Sequence, residues 1–143
     1  MRGNAENAVL PLFDKCDVEV INGICGDNMR MLGYLKNPYK HNNKDSVYKI
    51  VIHKTEQDVY VYLYTSVNAV FSSFDNWYPD EESALEEWQS EIDERGWILI
   101  DDPMPHCQHD ALLPIRIKGR DTNTPQWGKF EIYQDGEWKD YKP

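Results

Sequence analysis

Between His106 and Asp110 the chain places two imidazoles, a thiol and a carboxylate within five residues: His106, Cys107, Gln108, His109 and Asp110. These are the donor types that bind zinc, which needs about four of them converging tetrahedrally. Side chains so close in sequence do not all turn inward. At most two would ligate together, and the complement would come from Cys16, Cys25 or His53. A second chemistry is nucleophilic: Cys107 as a thiolate beside a histidine. A third reading is structural, a loop stiffened by Pro103 and Pro105 whose polar groups bond the backbone and whose Cys107 is buried. Neither Cys-x-x-Cys nor His-Glu-x-x-His occurs, so no cofactor is expected.

Other signals of catalysis are weaker. Asp101-Asp102 sits before Pro103, where a carboxylate either caps a turn or contributes to a hard-cation site. Glu81-Glu82 and Glu86-Glu87 are paired carboxylates, but an acid and base pair needs one group in an apolar setting across a cleft. There is no Gly-x-Gly-x-x-Gly, no phosphate loop and no Gly-x-Ser-x-Gly. No motif names a reaction, and the balance leans away from an enzyme.

Charge is more informative. Residues 75–102 hold eleven acidic side chains and one basic one, Arg95, which equals the net charge of −10 of all 143 residues. The remaining 14 acidic and 14 basic residues cancel. Charge gathered in this way creates a local field that favours basic partners. It argues against nucleic acid or an anionic membrane, because phosphate contacts need Lys and Arg.

The elements that must carry these groups follow from periodicity. A helix is predicted from about 80 to 95. Pro79 precedes it, acidic residues fill its first turn and Gly96 follows it. Leu85, Trp88 and Ile92 form one apolar stripe, which turns Glu82, Glu86, Glu87, Asp93 and Glu94 outward. A hairpin pairs Ser46–Lys54 with Asp58–Thr65 through Thr55-Glu56-Gln57. In its second strand Val59, Val61 and Leu63 alternate with Tyr60, Tyr62 and Tyr64. The aliphatic set is expected to face the core. The tyrosines are then either a partly exposed binding face or a second core layer.

Further strands are predicted at Asp17–Ile24, Asn28–Lys36, Ala69–Phe74, Trp97–Ile100, Leu112–Lys118, Gly128–Gln134 and Glu137–Tyr141. Polar loops are expected at Asn37–Asp45 and Asp102–Asp110. Asp135-Gly136 is a type I′ turn signal. Arg116 and Lys118 fall on one strand face, either solvated or matched to the acidic helix. Strands mostly adjacent in sequence with one good helix mean α+β: a single domain over 1–143, mainly antiparallel sheet, with the acidic helix on one face. Residues 1–7 are expected to fray.

Composition agrees with a soluble domain, with 41% hydrophobic, 28% charged and 13% aromatic residues. No apolar run approaches a membrane span, the N-terminus does not read as a signal peptide, and three cysteines make no disulfide framework. A cytoplasmic protein is expected.

The run from Trp97 to Arg120, WILIDDPMPHCQHDALLPIRIKGR, followed by WGKFEIYQDGEW, resembles small uncharacterised proteins of Gram-positive bacteria. Size, charge and fold type also resemble bacterial toxin-immunity proteins, an analogy at the level of fold. That resemblance implies a non-enzymatic binding module with a protein partner of basic surface. Partner contacts are then expected from the acidic helix and from Tyr60, Tyr62 and Tyr64. The alternatives are a small metal- or thiol-dependent enzyme using His106, Cys107, His109 and Asp110, and a carbohydrate-binding module using aromatic platforms.

Overall fold

The computed structural model describes residues 28–143. The predicted strand Asp17–Ile24, Cys16 and Cys25 lie outside the described residues. Strands β1 (Met29–His41), β2 (Asp45–Lys54), β3 (Val59–Tyr64), β4 (Phe74–Tyr78) and β5 (Ile98–Ile100) form an antiparallel sheet in the order β4-β3-β2-β1-β5. A second antiparallel sheet, β6 (Ile115–Ile117), β7 (Phe130–Gln134) and β8 (Glu137–Tyr141), keeps sequence order. One α-helix, α1 (Glu81–Trp88), packs on one face of the larger sheet. The architecture is α+β and mainly antiparallel. No helix of the described residues is long and apolar enough to cross a membrane.

Alternation decides the two faces of the larger sheet. Met29, Met31, Ile50, Ile52, Val59, Val61 and Leu63 point toward α1 and pack with Ala84, Trp88 and Ile92. Their neighbours in the same strands, Leu32, Val51, Tyr62 and Tyr64, form a second layer on the opposite face with Leu112 and Ala69. Gly33 has a packing reason. A Cβ there would stand 2.6 Å from Ile92 Cδ1 and 2.8 Å from Trp97 Cζ3, so the helix exit lies directly on bare backbone.

Three expectations are corrected. The strand β1 runs on through Asn37–His41, where a polar loop was expected, and turns only at Asn42-Asn43 with positive φ. The register shifts between Tyr34 and Tyr39, and this irregularity admits Pro38, which cannot donate to a regular ladder. The strand expected at Ala69–Phe74 lies instead at Phe74–Tyr78. The helix stops at Trp88 and continues as a 3₁₀ turn, Gln89–Glu91. Ile92 is already extended (ψ 137°), bridges Leu35, and the next amide, Asp93 N, donates to Tyr34 O. Sheet pairing thus takes over the last part of the apolar stripe. Asp135 (φ 54°) and Gly136 (φ 81°) form the tight hairpin their sequence predicts.

Candidate functional site

The acidic surface is built from α1 outward. Asp80 caps the helix by accepting from Ser83 N at 2.8 Å, and that bond lowers its carboxyl below the ordinary range. Trp88, nearly fully buried, donates from Nε1 to Tyr78 Oη at 2.9 Å, and Tyr78 donates to Glu87 Oε1 at 2.7 Å. Burial, then the bond to Glu87, push the Tyr78 phenol up to about 12. Glu87 is therefore exposed yet tied into the helix–sheet contact. Glu82, Glu86, Glu91 and Glu94 are exposed and have no ion pair among the described residues. Glu81 pairs with Lys54 at 3.3 Å. Asp93, expected to face a partner, turns in instead. Arg95 grips it at 2.7 Å, holding its carboxyl below the usual range, and lies over the Tyr34 ring.

The tyrosines do not join this surface. They lie on the opposite face of the sheet from α1, so the acidic set and the tyrosine set form two separate surfaces. Tyr64 has no exposed area, and its hydroxyl donates to Asp110 O. Burial followed by Asp110 raises its phenol far above the ordinary range. It belongs to a second core layer. Tyr60 and Tyr62 are half-buried with near-parallel rings 6.4 Å apart. Opposite Tyr60 on the edge strand β4 stands Trp77, 57% exposed, its Nε1 donating to Asp58 Oδ1. In the run FDNWY (Phe74–Tyr78) two polar residues separate Phe74 from Trp77, so no apolar alternation marks this exposed aromatic in the sequence.

The His106–Asp110 loop covers the same face. Its four candidate ligands have different partners. His106 is exposed at φ 70°, a left-handed position. Cys107 is buried and bridges Arg116; burial raises its thiol, the opposite of what a nucleophilic thiolate requires. Asp110 accepts from Ser72 N (2.8 Å) and Ser72 Oγ (2.9 Å). His109 alone turns to another imidazole: its ring centre lies 5.0 Å from that of His53, at an interplanar angle of 84°. Among the described residues no three of His, Cys, Asp and Glu converge as a metal cage.

Arg30 holds this loop down. It is 6% exposed and donates to three backbone carbonyls, Asp101 O (2.8 Å), His109 O (2.9 Å) and Ala111 O (2.9 Å). Between loop and sheet opens a cleft of about 350 Å³ whose lining includes Asn28, His53, Thr55, Glu56, Asp102 and His109. His53 forms a wall. It is 2% exposed, and its Nδ1 has no hydrogen-bond partner among the described residues. Burial, then His109, then Arg30 push it down to about 4, so it is neutral at pH 7.

The basic strand face does not meet the acidic helix. Arg116 is buried between Glu131 (3.0 Å) and Asp121 (3.5 Å) with Trp138 stacked on it, and Lys118, partly exposed to solvent, reaches Asp140. Glu82, Glu86, Glu91 and Glu94 thus stay unpaired among the described residues. Comparison with protein-family models, with curated proteins and with solved structures finds no match for this chain.

Proposed function

We propose that the protein is a non-enzymatic binding module that takes a protein partner through the outer face of the α1 region, and that its partner is basic. The observation that carries this reading is the arrangement of Glu82, Glu86, Glu91 and Glu94. All four are exposed and unpaired among the described residues, and their backbone is fixed by the burial of Ala84, Trp88 and Ile92. A preset field of one sign costs no reorganisation on binding. It can steer association toward roughly 10⁸–10⁹ M⁻¹s⁻¹ at low salt. The finer reading is an immunity-type inhibitor, in which the acidic face occludes the basic cleft of a toxin.

Co-expression with the products of neighbouring genes tests the finer reading. An immunity-type inhibitor rescues growth against one toxin and co-purifies with it, and Glu86→Lys with Glu94→Lys weakens the rescue. Rescue by neither wild type nor variant, with no complex formed, rejects it. Glu87 is a poor choice for charge reversal, because its bond to Tyr78 confounds binding with folding.

A further inference from the structure

We propose that His53 and His109 together bind a first-row divalent transition-metal ion, such as zinc or cobalt, at the wall of the cleft beneath the 101–111 loop. The inference goes beyond the acidic-surface reading and rests on different residues. Its first support is spacing. Metal–nitrogen bonds of about 2.0–2.1 Å place the centres of two imidazoles sharing one tetrahedral ion about 5 Å apart. The rings of His53 and His109 stand at 5.0 Å and nearly perpendicular.

The second support is an unmet valence. His53 is 2% exposed, lines the cleft, and leaves Nδ1 without a partner among the described residues. Buried polar atoms in native proteins nearly always have one, and an orphan calls for an explanation such as an ion. The third is anchoring. His109 is exposed, but its carbonyl is held by Arg30, so its ring is presented from fixed backbone. Arg30 brings positive charge near the site, and Asp102 and Glu56 also line the cleft.

Two imidazoles fill half a tetrahedral shell. No third His, Cys, Asp or Glu among the described residues completes it. The remaining positions are left to solvent or to a donor group of a bound molecule, one protein ligand fewer than the three of a typical open zinc site.

Titration calorimetry of the full untagged chain with zinc, and visible absorption with cobalt, test this. The proposal expects one ion per chain, absorption free of a sulfur-to-cobalt charge-transfer band, and paramagnetic shifts of both ring signals by NMR. His109→Ala, an exposed change that leaves the core intact, is expected to weaken binding at least tenfold. His53→Asn, if it folds, should do the same, and His106→Ala and His41→Ala should not. Absence of stoichiometric binding overturns the proposal. So does a thiolate band, or binding that survives His109→Ala unchanged.

Discussion

Individual residues show which side chains are committed and which are free. His53 is committed to being neutral. In the unfolded chain it takes a proton near pH 6.5; in the fold, burial beside His109 and Arg30 delays this to about 4. Between those values the unfolded state binds the extra proton, so stability falls as pH drops from about 6.5 toward 4 and levels off below. The expected loss is on the order of 2–3 kcal/mol, measurable by urea unfolding at stepped pH, and His53→Gln should flatten that part of the profile. Arg30 is committed to three carbonyls. Burial lowers its pKa, yet charge-assisted bonds to the chain offset the cost of placing it there. Arg30→Met leaves those carbonyls without a donor. It is expected to cost about 3 kcal/mol and to speed amide exchange at Gln108–Leu112. Unchanged exchange there would show that the loop is held by other contacts.

At the scale of elements, legibility followed sequence distance. The hairpin β2–β3 was readable because its register depends on alternation within 20 residues, and its aliphatic face is the core as that alternation requires. The helix was readable at its start, where Asp80 and the acidic first turn act locally, but not at its end. Ile92 satisfies helical spacing in sequence, yet it pairs with Leu35, more than 50 residues earlier, and no periodicity reveals that choice. The cover over the tyrosine face was hidden for the same reason: Tyr64 meets Asp110 across 46 residues. Of the candidate site, the His106–Asp110 loop was legible as a cluster of four possible ligands, with His109 not set apart from the others; its pairing with His53 is a strand-to-loop contact that sequence alone left among several complements. Gly33 marks where helix exit and sheet meet. Gly33→Ala forces its methyl against Ile92 and Trp97, with an expected cost of about 1–3 kcal/mol. Thermal unfolding followed by tryptophan fluorescence reads this directly, and a neutral result would mean that the Trp97 ring moves aside freely.

For the whole molecule, the two sheets divide the charge differently. In the smaller sheet opposite charges meet: Arg116 with Glu131 and Asp121, Lys118 with Asp140, Lys139 with Asp135. Around α1 they do not, apart from Glu81 with Lys54 and Asp93 with Arg95. Unpaired Glu82, Glu86, Glu91 and Glu94 thus gather charge of one sign around α1 among the described residues, and one-sided charge acts on encounter before it acts on affinity. Screening lengths of about 8 Å at physiological salt confine that effect to the outer face of α1 and its flanks. The most direct measurement is the association rate with the co-purified partner as a function of ionic strength, for the wild type and for Glu86→Lys with Glu94→Lys. The expected result is a wild-type rate that falls steeply with added salt, a variant rate at least tenfold lower at low salt with a flatter dependence, and unfolding curves that coincide. Equal association rates and equal salt slopes for the two proteins would contradict it.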